Sequence, residues 1–457
     1  MLYDTLKPVV GIALRWYYRS IIADGVARIP ARGPVFLAVN HPNALVDALI
    51  VGTVVPRRVR FTAKATIFAN PLAAAFLRTV GVVPLRRASD ESPAPSGTPS
   101  GIDRNVAAFE AVAQALADEA AIVIFPEGKS HDLPHLAPLR TGLARMTLQA
   151  YQQHGVRGVR IVPIGLLFER KESPRSRVLL QVGEPIDVDP LVDAGISVAT
   201  LTQLVADRLA GVTLNFESAE DAARLQQLGS TLVALLEPTP SISEGTASLG
   251  RSLALVRRLD RVHAALRRQD DQGIDRRIAA FEARVRTFRT DLDARDIDPH
   301  DLAIGARAGD GIRFATREAM LALLIAPIGL WGRITHFVPI QLARRLATHN
   351  VHALDEPAMR TMVLGFLLVL ITYAVETTMV ASIAGWRWAL AFLLTLVPSA
   401  GSDLRYGDRT RRARSRARAY FTFRRTPALQ GALLAEADAI RQEAFALDRL
   451  AADRAAS

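Results

Sequence analysis

The chain of 457 residues contains no cysteine. This absence excludes disulfide bonds, zinc sites with thiolate ligands and thiol nucleophiles, and it fits a reducing compartment. A serine-hydrolase elbow, G-x-S-x-G, is also missing from the sequence. The "GKS" at 128–130 is not a P-loop, because Val123 stands where that motif needs a glycine. Residues 1–21 have only a short apolar stretch and no small-residue cleavage site, so we expect no signal peptide there.

Hydrophobic residues and arginine are abundant. Half of the residues are hydrophobic, which indicates membrane contact. The net charge is +11, and residues 405–425 alone hold nine arginines and one aspartate. Such a cluster suits anionic lipid or nucleic acid. Because apolar segments adjoin it, we expect membrane lipids as partners and no nucleic acid.

The N-terminal residues 1–28 read as an amphipathic helix. Trp16, Tyr17 and Tyr18 stand beside Arg15 and Arg19, a combination of aromatic and basic side chains that suits a membrane interface. A helix packed on a folded domain is the equally weighted alternative.

Residues 29–190 alternate short buried-strand patterns with helical ones, which predicts an α/β domain with helices on both faces of its sheet. Residues 88–101 are rich in Pro, Ser and Gly, and we interpret them as a loop. Within the helix predicted over 44–55, we expect Ala44, Leu45, Ala48 and Leu49 to face inward.

Residues 191–311 have helical periodicity and paired charges, and we expect a helical accessory region. Residues 312–402 contain long apolar runs, for which a membrane span needs roughly 20 residues. We predict a hairpin of two spans, 361–383 and 388–402, with 319–340 interfacial or re-entrant. Arginines flank the hairpin, so we expect the α/β domain and the basic tail, 403–457, on the cytoplasmic face.

Polar clusters follow several of the predicted strands. "NHPNALVD" (40–47), "VPLRR" (83–87) and "FPEGKS" (125–130) each end a strand, and "VPIG" (162–165) lies within one. Ligands of open α/β sheets gather at the carboxyl ends of strands. A histidine with a carboxylate partner can take a proton from an alcohol, and paired arginines with turn amides suit a phosphate. The implied substrate is a hydroxyl compound that carries a phosphate.

The order and spacing of these four motifs resemble the glycerol-phosphate and lysophospholipid (1-acylglycerol-3-phosphate) acyltransferase family over about residues 20–190. The downstream helices and apolar segments are similar to the subset of yeast-type glycerol-3-phosphate/dihydroxyacetone-phosphate acyltransferases. The resemblance implies a mixed-sheet acyltransferase domain followed by a helical region and C-terminal membrane segments. It also implies His41 and Asp47 as the catalytic pair. The substrate-binding residues that it implies, with weaker candidates last, are Arg86, Arg87, Glu127, Gly128, Ser130, Pro163, Lys64 and Arg140.

The implied reaction is acyl transfer from a thioester, acyl-CoA or acyl carrier protein, to the acceptor hydroxyl without a covalent acyl-enzyme. We expect no further cofactor and no metal, since His131 and His135 lack a third ligand. The acceptor stays open between glycerol 3-phosphate, dihydroxyacetone phosphate, lysophosphatidate and another lysophospholipid, as does the oligomeric state. The alternative to an enzyme is a membrane scaffold or lipid carrier that retains the fold.

The commonest family motif has four residues between histidine and aspartate, whereas five residues separate His41 from Asp47. Six positions in one helix are about 240° apart, which would keep the two side chains from meeting. We therefore predict that His41 precedes the helix in the turn that Pro42 enforces, with Asn43 as N-cap.

Overall fold

A computed structural model of the chain describes residues 2–85, 106–171, 173–236, 272–305, 308–347 and 356–456. Arg86, Arg87, the loop predicted over 88–101 and the helical pattern of residues 248–268 lie outside the described residues. The chain divides into two compact units, Met1–Glu217 with Ala343–Phe366, and Ser218–Leu342 with Leu367–Ser457.

The first unit is built on one mixed sheet with the order β1-β7-β6-β2-β5-β3-β4, and β8 pairs with β6. The strands are β1 (Ser20–Asp24), β2 (Val35–Val39), β3 (Val59–Lys64), β4 (Val83–Leu85), β5 (Ala121–Ile124), β6 (Arg160–Phe168), β7 (Arg177–Val182) and β8 (Ile186–Asp187). Strands β2 to β5 run parallel with their neighbours, whereas β6 is antiparallel to β7 and β8. The mixed α/β sheet predicted from the sequence is confirmed.

Helices cover both faces of this sheet. They are α1 (Leu2–Tyr17), α2 (Ala44–Val54), α3 (Pro71–Thr79), α4 (Val106–Ala117), α5 (Gly142–Gln152), α6 (Asp189–Asp193) and α7 (Val198–Ala210). One hydrophobic cluster joins α1 and α2 to one face of the sheet, and a second joins α4, α5 and α7 to the other. All five residues of β2 are buried, as expected for a parallel strand covered on both sides. The carboxyl ends of β2, β5 and β3 therefore lie side by side at one edge.

The N-terminal helix is packed on the domain. Leu14, Tyr17 and Tyr18 are buried in the cluster that α1 shares with α2, and the rings of Tyr17 and Tyr18 meet edge to face at 4.9 Å. Of the two alternatives for this segment, the packed helix fits these two tyrosines, because their rings are inside the fold and unavailable to a membrane.

The second unit is helical. Its elements are α8 (Ala219–Leu236), α9 (Gln272–Ala294), α10 (Ala308–Ala347), α11 (Glu356–Ala384), α12 (Trp386–Arg425) and α13 (Pro427–Ala456). The last residues of α10 and the first residues of α11 are counted in the first unit. Helix α10 packs closely on α12, since a Cβ on Gly332 would lie 2.1 Å from the carbonyl oxygen of Ser399. Close approach through small residues is characteristic of helices packed in membranes.

In the part of the chain that the structure describes, two stretches are long and apolar enough to cross a membrane, Leu323–Ala343 in α10 and Val363–Ala384 in α11. The second stretch corresponds to the first arm of the predicted hairpin, 361–383. Residues 319–340, which the sequence left open between an interfacial segment and a span, lie in an uninterrupted helix that contains the first stretch. Residues 388–402 begin a 40-residue helix that continues into the arginine-rich segment. The predicted break is present at Gly385, whose φ is +89°.

Candidate active site

Asn40 fixes the end of β2, where the candidate site begins. Its side chain extends the pairing with β6, because Oδ1 accepts from the Leu166 backbone N–H at 2.7 Å and Nδ2 donates to the Leu166 carbonyl at 3.1 Å. These bonds replace a ladder rung after the strand has ended at Val39. The residue that follows, His41, is thus held at the carboxyl edge of the sheet.

His41 and Asp47 are in contact. Nδ1 of His41 lies 3.0 Å from Oδ2 of Asp47, whose side chain is completely buried. The same oxygen accepts the backbone N–H of Asn43 at 2.7 Å. His41 precedes α2 and Asp47 lies inside it, as predicted. The additional residue between His41 and Asp47 is accommodated by the backbone of Ala44, whose φ of +46° is in the left-handed region.

Asn43 is the N-cap of α2, but its side chain makes no capping bond. Its Nδ2 group donates instead to the Tyr18 hydroxyl at 3.2 Å and to the Lys171 carbonyl at 3.3 Å. Asp47 takes over part of the capping role, because it accepts the N-cap N–H from one turn further into the helix. Asn43 therefore has the predicted N-cap position, but its side chain does not make the bond that usually goes with that position.

The predicted inward face of α2 is also wrong. The buried residues are Val46, Asp47, Ile50, Val51 and Gly52, whereas Leu45 is 46% exposed. Hydrophobicity alone could not orient this helix, since nearly all of its residues are apolar. The orientation follows from Asp47, because the helix has to turn this carboxylate inward to reach His41.

The contact with Asp47 determines which nitrogen of His41 can act as a base. A carboxylate that accepts from Nδ1–H leaves Nε2 with its lone pair, and among the described residues nothing else hydrogen-bonds to this ring. The ring is 14% exposed and stacks on Phe125, with centroids 4.0 Å apart and planes 17° apart. Burial raises the pKa of Asp47, opposed by its hydrogen bond from His41. Nε2 is therefore the proton acceptor of the site.

A tight turn after β5 presents Glu127. The Gly128 N–H donates to the Phe125 carbonyl at 3.0 Å, and Gly128 has a φ of +81°, which glycine adopts at little cost. Pro126 occupies the second position of this turn, where its fixed φ is favourable. The "FPEG" motif is thus a turn with a structural reason for its proline and its glycine.

Glu127 is buried, and protein donors occupy both of its oxygens. Oε1 accepts the backbone N–H of His41 at 2.7 Å, and Oε2 accepts from the Ala137 N–H at 2.8 Å and from Nε2 of His131. Three donors leave little of the carboxylate for a ligand. The carboxylate bridges the loop of His41 to the loop after β5, so its place in the site is to position His41.

The tautomer of His131 follows from its two partners. Nδ1 accepts the Leu133 N–H at 3.2 Å, so the proton of the neutral ring is on Nε2 and is donated to Glu127. Its backbone N–H also approaches the His41 carbonyl, at 3.4 Å. With both ring nitrogens engaged, His131 does not pair with His135 as a metal ligand.

Lys171, in the segment after β6, links the loop of His41 to the loop after β5. Its ammonium donates to the Pro42 carbonyl at 3.2 Å, to the His131 carbonyl at 3.4 Å, and to the Asp132 carboxylate. The positive charge also lowers the pKa of Asp47, against the larger effect of burial. His41 is thus held by Asp47, by Glu127 and, through the backbone of Pro42, by Lys171.

The other predicted site residues are distributed around this centre. Arg140 donates its backbone N–H to the Pro126 carbonyl at 2.8 Å, and its side chain packs over Gly128. Ser130 belongs to the same loop. Lys64 is the last residue of β3. Pro163 is buried in β6 opposite Ala38, about 10 Å along the strand before the level of His41. Arg86 and Arg87 were predicted here and lie outside the described residues.

Sequence reasoning missed Asn40, Tyr18, Phe125, His131 and Lys171 as parts of this site. Asn40 and Phe125 stand inside the quoted motifs and His131 directly follows one of them, so a signal for them was present. Tyr18 and Lys171 stand in no motif, because they reach the site from the end of α1 and from the strand connection after β6.

Part of the chain is similar to known acyltransferases. Residues 20–167 match the family model described as Acyltransferase. Glycerol-3-phosphate O-acyltransferase 2 and 1 of Saccharomyces cerevisiae are 41% and 39% identical to this chain over 85 and 80 residues, or 19% and 18% of its length. An uncharacterized acyltransferase of Schizosaccharomyces pombe is 24% identical over 264 residues, 41% of this chain.

These matches cover only part of the relatives, namely 39% of the fission yeast protein and 11% and 10% of the two budding yeast proteins. Among solved structures, the 1-acyl-sn-glycerophosphate (LPA) acyltransferase PlsC from Thermotoga maritima is 19% identical, with a TM-score of 0.35. That match covers 46% of this chain and 78% of the other.

Proposed function

We propose that this chain, whose residues 20–167 form a domain of the acyltransferase family, transfers a fatty acyl group from a thioester to the hydroxyl of a glycerol-phosphate acceptor in phospholipid biosynthesis. The observation that carries the proposal is the 3.0 Å contact between Nδ1 of His41 and the buried Asp47 carboxylate. It leaves a basic Nε2 at the edge of the sheet where ligands bind in such folds.

In the proposed reaction, Nε2 of His41 takes the proton of the acceptor hydroxyl while the oxygen attacks the thioester carbonyl carbon. The tetrahedral intermediate then expels the thiolate, which receives the proton back from the imidazolium. Asp47 stabilises that imidazolium and keeps the ring in the required tautomer. The donor is acyl-CoA or the acyl thioester of an acyl carrier protein, and no acyl-enzyme forms.

The binding of the acceptor is assigned to basic groups around this centre. Arg86 and Arg87 remain the predicted phosphate ligands, supported by Lys64, Ser130 and Arg140. Glu127 and Gly128 contribute by shaping the loop, since the carboxylate of Glu127 is already occupied by donors from the protein. The printed names of the yeast relatives support a glycerol-phosphate acceptor.

We also place the protein at a membrane. Spans at Leu323–Ala343 and Val363–Ala384 return the chain to the side from which it started, so the acyltransferase domain and the arginine-rich α12 share one side. The nine arginines of residues 405–425 assign that side to the cytoplasm, because basic residues are retained there.

The test is acyl transfer by the purified full chain in lipid nanodiscs with radiolabelled acyl-CoA or acyl carrier protein. The acceptor panel is glycerol 3-phosphate, dihydroxyacetone phosphate, lysophosphatidate, another lysophospholipid, and monoacylglycerol, which carries no phosphate. We expect labelled product with phosphate-bearing acceptors and none with His41→Ala, while His135→Ala, an exposed histidine of the neighbouring loop, keeps full activity.

Two results would overturn the proposal. Absence of product with every donor and acceptor, together with unchanged vesicle binding of His41→Ala, would favour a non-catalytic membrane scaffold. Product with the phosphate-free acceptor alone would remove the phosphate role from Arg86 and Arg87.

A further inference from the structure

Residues 65–79 form an exposed apolar element beside the candidate site. A 3-10 helix, Ala65–Ala69, and helix α3 follow directly after β3. Their sequence, ATIFANPLAAAFLRT, contains a single charged residue, Arg78. A helix that is apolar on almost every side needs an apolar partner around it.

Among the described residues, no apolar group covers most of this element. Leu72 is 82% exposed, and Ile67 and Phe76 are each about half exposed, whereas Ala74 is buried. Leu72 and Phe76 lie one turn apart in α3, and Ile67 lies in the 3-10 helix before it. We refer to these three residues together as the α3 face. Clustered exposed side chains of this size mark surfaces that bind another apolar body.

The position of the α3 face relates it to the site. The element leaves the carboxyl end of β3, which neighbours β5 in the sheet, and β5 leads into the turn of Glu127. Leu45, four residues after His41, and Leu133, two residues after His131, are also about half exposed. Exposed apolar side chains therefore accompany the edge of the sheet that carries the catalytic pair.

The positive charge near the element favours an anionic partner. No aspartate or glutamate occurs between Asp47 and Asp90, a stretch that contains seven basic residues. Arg58 and Arg60 pair with Asp4 and Asp118 near the amino end of β3. Lys64 ends β3, Arg78 lies in α3, and Arg86 and Arg87 follow β4 in the sequence. An apolar surface with positive charge and no acid complements an anionic lipid surface.

We propose that the α3 face inserts into the interface of an anionic bilayer, with α3 lying along the membrane plane. Its apolar side chains would enter the boundary between headgroups and acyl chains, and Arg78 would remain with the lipid phosphates. The occupant is the bilayer itself, so this inference stands whether or not the chain proves to be an acyltransferase. If it is one, the docking brings the site to the surface where lipid substrates reside.

The absence of cysteine permits a direct test on the full chain. Leu72→Cys and Phe76→Cys would each supply a single thiol for an environment-sensitive fluorophore. Gln153→Cys is the matched control, because this exposed residue follows α5 and precedes β6, at the opposite edge of the sheet. The labelled proteins are reconstituted in nanodiscs of phosphatidylcholine with phosphatidylglycerol, with and without lipids that carry a quencher on the acyl chain.

We expect blue-shifted emission at positions 72 and 76 and loss of most of that emission with the quencher lipid, with neither effect at 153. Leu72→Asp introduced into the Phe76→Cys protein should abolish quenching at 76 while the thermal unfolding temperature stays unchanged. Replacing phosphatidylglycerol by phosphatidylcholine should weaken the quenching.

Three outcomes would overturn the proposal. One is a label at 72 that remains in water while the chain is bound in the disc. Another is a label that is shielded from water but not quenched, which would indicate a protein partner. The third is a shift produced by dispersed acyl-CoA in the absence of lipid, which would assign the α3 face to the acyl chain of the donor.

Discussion

His41 and Asp47 meet at 3.0 Å although five residues separate them. The contact exists because His41 belongs to the turn after β2, Asp47 belongs to α2, and Ala44 between them adopts a left-handed backbone. A buried carboxylate on one nitrogen of a histidine prepares the other nitrogen as a base. The predictions below follow from how this pair is held.

Asp47→Asn should lower kcat by a factor of about 100 to 10,000, the range for general-base catalysis, because an amide no longer holds His41 in the tautomer that leaves Nε2 free. The wild-type activity should also fall on acidification at a pH above 3.8, the ordinary pKa of an aspartate, because burial raises the pKa of Asp47. A pH–rate profile of both proteins checks this. An acidic limb retained unchanged in the variant would contradict it.

The raised pKa of Asp47 makes the free energy of unfolding depend on pH. The folded protein favours the protonated carboxyl. The contribution of protonated Asp47 to the free energy of unfolding is therefore fully present below about pH 3.8, and it is lost as pH rises through the raised pKa. The stability of Asp47→Asn relative to wild type should therefore increase with pH over that interval. Pulse proteolysis in urea at a series of pH values measures the difference.

Glu127→Gln should lower kcat and leave the KM for the acceptor nearly unchanged. An amide cannot accept at both ends, so either the His41 N–H or the donors from His131 and Ala137 lose their acceptor, at a cost of about 1–3 kcal/mol. Steady-state kinetics decide the matter. If Glu127 bound the acceptor directly, KM would rise instead.

Lys171→Met should reduce kcat by about tenfold, equivalent to about 1.4 kcal/mol, because the loops of Pro42 and His131 lose their common donor. Lys171→Arg should restore part of the activity by supplying a longer cation. Lys129→Met is the control, an exposed lysine of the neighbouring loop that should tolerate the change. Equal losses in the two methionine variants would argue against a positioning role.

Ala44→Gly should stabilise the fold by about 1 kcal/mol, because a left-handed alanine costs about 1–2 kcal/mol that glycine avoids. The matched change Ala48→Gly, in the regular part of α2, should destabilise by about 0.5–1 kcal/mol. Urea unfolding of the two variants should move in opposite directions. A loss of stability in both would place Ala44 in ordinary helical backbone.

Gly128→Ala should be destabilising by about 1–2 kcal/mol, since φ is +81° and the added Cβ would lie 3.3 Å from Cγ of Arg140. Gly142→Ala, at the first turn of α5 with open space around the added Cβ, should be neutral or stabilising. Thermal unfolding compares them. The same glycine-to-alanine change thus has opposite expected signs in one loop and the helix that follows it.

Local signals in the sequence were sufficient for the α/β domain and the location of its site. Apolar runs bounded by Gly-Pro and His-Pro predicted β2, and the polar residues after each run predicted the ligand-binding edge. The same local reasoning failed for α2, because a helix with almost no polar face carries no information about which side is buried. The second arm of the predicted hairpin, 388–402, lies in a helix that continues into a charged segment, and its crossing of the membrane stays a prediction.

By itself, the sequence determined that a histidine, an aspartate and a glutamate follow parallel strands, and that no cysteine takes part. Those facts depend on residue identity and on short-range patterns. The tertiary structure decided what each group does. Glu127 holds the backbone of His41, Lys171 joins two loops from a distant connection, and Tyr18 holds Asn43, because hydrogen bonds of these kinds link segments up to about 130 residues apart, which no local pattern encodes.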